Sequence, residues 1–208
     1  MITLFIDTSN QDVSIALLKD GKIINKITKS IPNEHSKYAV SYIDEVLKKS
    51  EITPKEVQSI MVVNGPGSFT GVRIGLTIAK VYALLNDIKV TLISSLKCLA
   101  IGNNKNKYIL SLINARNDNY YIGFYDNNYN DVINEHFGNI DEVNDIINKY
   151  NDVLVVSNNS DNDNDNVKVI NELDIESIYN YYKDKVKVNP HMVLPNYLKL
   201  PQVLEKNV

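Results

Sequence analysis

Three stretches of this sequence combine residue types and spacing that could do chemistry. The first closes an apolar run, where Ile2 to Ile6 is followed by Asp7, Thr8, Ser9 and Asn10. A carboxylate at the tip of a buried strand can reach a phosphate and its metal, and it can equally cap the strand end as a turn residue. The second follows the apolar run Ile60 to Val63, where Gly65, Pro66, Gly67 and Ser68 lead to Gly71 and Gly75. A glycine-rich turn feeding a helix N-terminus offers backbone N–H groups to an anion. Asp7, Thr8, Ser9, Gly65, Gly67 and Ser68 are therefore the candidate nucleotide or phosphate loop. The same glycines suit a purely structural tight turn. A Walker-type loop also needs Lys and then Ser or Thr after its last glycine, and Gly71 is followed by Val72 and Arg73. The third stretch sets Asp161, Asp163, Asp165 and Glu172 at four ligand positions of a calcium loop. Asn166 stands where that loop needs Gly, and Lys168 where it needs an aliphatic residue, so a solvated Asn/Asp loop is the competing reading.

Other reactive side chains are isolated. His35 stands at a helix start, and no second His, Cys or carboxylate follows at ligand spacing before Asp44, so no metal is expected. Cys98 is the single cysteine, which leaves no internal disulfide and reads as a small core residue in a reducing compartment. No Ser/His/Asp arrangement emerges from spacing, so no catalytic residue is assigned.

The elements that position these residues follow from periodicity. Ile2–Ile6, Val13–Leu17 and Ile23–Ile27 read as a three-stranded meander, with Asp20-Gly21 as a hairpin turn. A helix opens at Pro32–Ser36 and runs to about Lys49, with Ala39, Val40, Ile43, Val46 and Leu47 as its core stripe. Tyr38 and Tyr42 stand one turn apart beside that stripe, which suits either a protein interface or boundary packing. After Ser68 or Thr70 as N-cap comes a helix with two apolar stripes, Val72, Leu76, Ala79, Ala83 and Ile74, Ile78, Val81, Leu85. A helix apolar nearly all round is buried on more than one side. Because Gly71, Gly75, Ala79 and Ala83 are small and recur every four residues, a partner helix is expected to approach along that line.

Val90–Ile93 is then a strand and Ser94–Ile101 a short helix. The polar break at Asn103–Lys107 marks the expected division into lobes 1–102 and 103–208. Beyond it, Tyr108–Ile113, Tyr120–Tyr125 and Val132–Phe137 read as strands, Ile140–Tyr150 as a helix, Val153–Val156 as a strand and Glu172–Lys185 as a helix. The order of the first lobe thus repeats in a shorter, more polar form.

Composition bounds the class. The chain has 208 residues, 44% of them hydrophobic, enough for one sizeable core or two small lobes. No apolar run is long enough to span a membrane, and the start MITLFIDTSN lacks a basic leader, so a cytoplasmic protein is expected. A net charge of -3 and a pI near 5.6 give no basic footprint for nucleic acid.

Six segments carry a resemblance: FIDTSN at 5–10, His35-Ser36, NGPGSFTGVRIGLTIAK at 64–80, LISSLKCLA at 92–100, NARNDNYY at 114–121 and PNYLK at 195–199. They are similar to the bacterial TsaB (YeaZ) family, whose members are non-catalytic partners in making N6-threonylcarbamoyladenosine on tRNA. The resemblance implies a two-lobed α/β fold of the actin and sugar-kinase (ASKHA) type with a shortened second lobe. It implies a TsaD-like catalytic paralogue as partner, with Ser95 and Leu99 standing where that paralogue has two histidines. The two would join as a four-helix bundle through Ser36, Tyr38, Ala39, Tyr42, Gly71, Val72, Ile74, Gly75, Ile78, Ala79 and Tyr82. A bulky residue at Gly75 is then expected to abolish the complex and leave the chain folded. A TsaE-like ATPase would join the complex, with ATP and Mg²⁺ bound by the partner subunits and no cofactor here. Alone, the chain would form a homodimer, and tRNA contact would be indirect. An ATP-binding ATPase or kinase using Asp7 and the glycine loop is the alternative, with a glycoprotease-like peptidase behind it.

Overall fold

The computed structural model describes residues 1–158 and 167–199. The candidate calcium-loop positions Asp161, Asp163 and Asp165 lie outside the described residues. Two compact units are present, the first formed by Met1–Ser95 with Asp174–Pro195 and the second by Leu96–Leu173 with the described residues from Asn196. The chain therefore passes between units at three places, and a single cut after residue 102 does not describe them.

In the first unit, strands β1 (Ile2–Asp7), β2 (Asp12–Lys19) and β3 (Lys22–Ser30) form an antiparallel meander. Asp20 and Gly21 both adopt positive φ, the conformation a two-residue hairpin needs. Helix α1 (His35–Lys49) leads to a 3-10 turn at Pro54–Glu56 and to strand β4 (Ser59–Gly65), parallel to β1. Helix α2 (Phe69–Asn86) then leads to β5 (Val90–Ser94), parallel to β4, which sets the sheet order β3-β2-β1-β4-β5. The near-continuous apolar runs of β1 and β4 follow from burial on both faces of the sheet. One face packs Leu4, Ile6, Ile15, Ile60 and Val62 against Ala39, Ile43 and Val46 of α1 and Val72, Leu76 and Ala79 of α2.

The second unit opens with the short helix α3 (Ser95–Ala100). Strands β6 (Tyr108–Asn114), β7 (Asn119–Asp126) and β8 (Asp131–Asn139) form a second meander, followed by helix α4 (Ile140–Lys149) and strands β9 (Val153–Ser157) and β10 (Val167–Val169). With β9 parallel to β6 and β10 parallel to β9, the order β8-β7-β6-β9-β10 repeats the first sheet. Leu110, Ile122 and Phe124 meet Val143 and Ile146 of α4 on one face, while Ile109, Ile113, Tyr125 and Val156 pack with Leu96 and Leu99 on the other. The three-residue β10 is too short to leave a periodic signal, and the sequence reading missed it.

Helix α5 (Ile175–Tyr182) belongs to the first unit, where its Tyr179 ring covers Gly21. Glu176 accepts from Lys22 Nζ at 2.7 Å and from the Ile23 N–H at 3.1 Å. This helix is shorter than the expected 172–185 because Asp174 caps its start, accepting from the Ser177 N–H. Beyond it, Val188 bridges to Val90 at the sheet edge, and Val193 enters the core beside α2. Nothing local in the sequence distinguishes a segment that returns to an earlier unit from one that continues a later unit.

Helix α2 supplies a direct test of which side faces the core. Leu76 is buried, whereas Leu85 is 80% exposed. We expect Leu76→Ala to cost roughly 2–5 kcal/mol and Leu85→Ala no more than about 0.5 kcal/mol, measured as shifts of the urea unfolding midpoint.

Candidate functional site

The tip of β1 and the start of α2 form one interlocked turn. Asp7 is 5% exposed, and its Oδ1 accepts from the Ser9 N–H at 2.8 Å. The Thr8 hydroxyl donates to the Gly71 carbonyl at 2.7 Å, and the Ser9 carbonyl accepts from the Ser68 N–H at 2.7 Å. Ser68 is the N-cap of α2, its Oγ accepting from the Gly71 N–H at 3.2 Å and its carbonyl from the Val72 N–H at 2.8 Å. His35 Nε2 donates to the Asn10 carbonyl at 2.7 Å, tying the start of α1 to the same turn. The six residues of the candidate phosphate loop therefore do come together, Gly65 through the end of β4 and Gly67 against the Ser9 carbonyl. The Ser68 and Gly71 N–H groups that would face an anion are donating inside the turn.

Burial raises the Asp7 carboxyl above its ordinary 3.8, with Asp12 adding to the rise and the Ser9 hydrogen bonds and His35 opposing it. Stability tied to its protonated form is complete below 3.8 and is lost as the pH climbs through the raised value.

The small-residue line of α2 faces inward, which corrects the expected use of its glycines. A Cβ on Gly71 would lie 2.1 Å from the Thr8 carbonyl oxygen, and one on Gly75 would lie 2.4 Å from Thr8 Oγ1. Their close approach is to β1 of the same chain. Ala39, Tyr42, Val72 and Ala79 are likewise buried in this unit's own core. Tyr42 stacks on Tyr38 with ring centroids 5.8 Å apart and lies beneath Lys29 Nζ, so it is no rim residue. Of the expected interface set, Ser36 is exposed, and Tyr38, Ile74, Ile78 and Tyr82 are half-buried. Tyr82 donates to the Pro54 carbonyl at 2.9 Å, and burial pushes its hydroxyl up to about 12.

What α2 turns outward is its second apolar stripe. Val81 is 50% exposed and Leu84 44%, continuing the row of Ile74, Ile78 and Leu85. At its N-terminal end Phe69 carries the Arg73 guanidinium 3.7 Å above its ring centroid. On α1, Val40 is 58% exposed, although the sequence reading placed it in the core stripe. The expected interface set holds Ile74 and Ile78 of this stripe but not Val81 and Leu85, which are the more exposed.

Among the described residues, no group of three or more His, Cys, Asp or Glu side chains could hold a metal ion. Ser95 and Leu99 are both buried, Leu99 within the core of the second unit. Two of the three histidines have defined partners, since His136 is bonded to Glu142 Oε1 at 2.6 Å and His35 to Asn10. No helix is long and apolar enough to cross a membrane among the described residues.

Two sheets of one repeated topology, with a glycine turn beside the first strand feeding a helix, define an α/β protein of the actin and sugar-kinase (ASKHA) type with a shortened second lobe. A family model described as "TsaD: tRNA N6-adenosine threonylcarbamoyltransferase" matches residues 23–169. The tRNA threonylcarbamoyladenosine biosynthesis protein TsaB of Bacillus subtilis is 37% identical over 126 residues, 60% of this chain and 55% of that protein. The protein of the same name from Escherichia coli is 32% identical over 135 residues, 64% of this chain and 58% of that one. The chain thus spans little more than half the length of these relatives. The solved structure of YeaZ from Pseudomonas aeruginosa superposes with a TM-score of 0.76 at 21% identity, covering 95% of this chain and 99% of that one. The chain thus belongs to the family that the TsaD model describes, and within it is similar to the proteins named TsaB.

Two outcomes follow from the turn. Gly75→Ala forces its methyl onto Thr8 and should cost roughly 1–3 kcal/mol of stability in urea unfolding of the isolated chain, where a partner-contact role leaves stability unchanged. Asp7→Asn stays neutral at every pH and still accepts from Ser9. Its unfolding midpoints at about pH 4 and about pH 7 should differ less than those of wild type, which loses stability as Asp7 ionises.

Proposed function

We propose that this chain is a non-catalytic scaffold in biosynthesis of N6-threonylcarbamoyladenosine, the modified adenosine 3′ of the anticodon in tRNA. Its relatives are named for that pathway. In this reading it binds a TsaD-like catalytic subunit in the cytoplasm, recruits a TsaE-like ATPase to the pair, and meets tRNA only through its partners. ATP and Mg²⁺ belong to those partners.

The observation that carries the proposal is the outward apolar row of α2. Ile74, Ile78, Val81, Leu84 and Leu85 lie on one side of an 18-residue helix and are exposed or half-buried. Such a row stays out of water when another helix pair packs on it, and ridges of this kind fit a four-helix bundle. Burying it is worth about 25 cal/mol per Å² of apolar surface removed from water. Ser95 and Leu99, where the resemblance sets the paralogue's two histidines, are buried and supply no metal-binding imidazole. A surface made for a homologous helix pair also accepts a second copy of itself, and the free chain is accordingly read as a homodimer.

Light scattering on a sizing column tests this reading. Mixed with the TsaD-type subunit of the same organism, the wild-type chain should form a one-to-one complex at the expense of its own dimer. Val81→Asp should remove both assemblies while the variant's unfolding midpoint stays near that of wild type, because Val81 is half exposed. Failure of the wild-type chain to bind, or an unaffected Val81→Asp complex, would overturn the scaffold assignment. Nucleotide binding sensitive to Asp7→Ala would support the ATPase reading in its place.

A further inference from the structure

The outward side of α2 repeats in heptads, and its charges lie on one flank. Thr70, Ile74, Thr77, Val81 and Leu84 recur at spacings of four, three, four and three residues, and all five are exposed or half-buried. That is the spacing of a seam at which two helices pack side by side, with β-branched Ile74 and Val81 in one set of seam positions and Leu84 in the other. Ile78 and Leu85 border the seam on one side. Arg73 and Lys80, one heptad apart, border it on the other, Arg73 exposed and Lys80 half-buried. Arg73 lies over the Phe69 ring and keeps its charge there, because the ring is neutral. Within the helix nothing offsets the two cations, since α2 has no Asp or Glu. The Pro190–Met192 turn packed beside it adds His191 and no acid. On α1, Asp44 and Glu45 are already held by Lys48 and Lys49, each at 2.7 Å.

The seam is also nearly palindromic. A two-fold axis crossing the helix at Thr77 lays a second copy antiparallel on it, so that Ile74 meets Val81 of the copy and Thr70 meets Leu84. The same operation sets each flank against its own image. Arg73 then stands opposite Lys80 of the copy, offset by about one residue's rise of 1.5 Å, and Lys80 stands opposite Arg73. Two like-charge pairs therefore line the edge of an otherwise self-complementary apolar contact. Charges at these flanking positions decide which helices pair, and like charges there act against the wrong partner.

We infer that Arg73 and Lys80 are the specificity determinants of this face. They hold the chain back from pairing with itself and select one occupant, an apolar helix of the TsaD-type subunit flanked by carboxylates that stand opposite them. The inference rests on the scaffold reading for the existence of that subunit, and it gives the exchange of partners a direction. Self-pairing buries the apolar row at the cost of two repulsions, whereas a carboxylate-flanked helix buries the same row and turns both into attractions. The homodimer is then the weaker assembly and yields to the mixed one. Opposite salt dependences follow, because salt screens the repulsion in the first assembly and the attraction in the second.

The test measures two constants for wild type, Lys80→Gln and Lys80→Glu, each at about 50 mM and about 500 mM salt. Sedimentation equilibrium gives self-association of the chain alone, and calorimetric titration gives its binding to the TsaD-type subunit. Unfolding midpoints near that of wild type establish that the variants are folded. At low salt Lys80→Glu should tighten self-association by at least about fivefold and weaken the mixed complex by at least about fivefold, with Lys80→Gln between. Added salt should tighten the wild-type homodimer and loosen the wild-type mixed complex. If Lys80→Glu leaves either constant where it was, or moves both in the same direction, the inference falls. A mixed complex that forms and is indifferent to residue 80 leaves the scaffold reading standing. If wild type forms no mixed complex, the inference and the scaffold reading fail together.

Discussion

The buried hydrogen bond from the Thr8 hydroxyl to the Gly71 carbonyl fixes where helix α2 begins and how it is turned. The Ser9 carbonyl holds the Ser68 N–H beside it, so the end of β1 and the start of α2 are joined at two points. Only glycine fits at positions 71 and 75 under that joint, because any Cβ would meet Thr8 atoms. The glycines thus set the rotation of α2 about its own axis. Once Gly71, Gly75, Ala79 and Ala83 face the sheet, a helix of 3.6 residues per turn must turn Ile74, Val81 and Leu85 outward.

That rotation links the turn to the proposed scaffold role. A strand-tip carboxylate and a glycine turn at a helix start are parts that can be arranged to face a phosphate. Here the same parts face one another: Asp7 is buried, with Ser9 donating to it, and the first donors of α2 are engaged by Ser68 and Ser9. An interlocked turn holds the helix rigidly, and a rigid helix presents its apolar row without an ordering cost when a partner arrives.

The two units repeat one sheet topology with different surroundings. In the first, α5 and the segment through Val193 return from the far end of the chain, Tyr179 against Gly21 and Val193 into the core with α1 and α2. The second is smaller and strongly acidic. Its core is nevertheless well filled, with Tyr108, Phe124 and Tyr150 in mutual ring contact under α4. Lys97, nearly buried, reaches Asp131 at 2.7 Å and the Tyr129 carbonyl at 3.1 Å, pinning α3 to the start of β8.

Much of this was legible in the residues themselves. Alternating and continuous apolar runs marked nine of the ten strands among the described residues, the Asp20-Gly21 turn declared its hairpin, and the start of α2 was narrowed to Ser68 or Thr70, because each of these signals is local. The family was legible too, since the GPGSFTGVRIG run packs several backbone requirements into a few positions. What the chain did not reveal was which side of α2 meets its own sheet. Small residues are needed equally by a partner helix and by a neighbouring strand, and only the position of Thr8, more than sixty residues earlier in the chain, decides between them. The return of α5 to Gly21 was hidden for the same reason. Periodicity reports how a residue relates to those three or four places away, whereas burial, strain and exposure depend on what the rest of the chain brings alongside it.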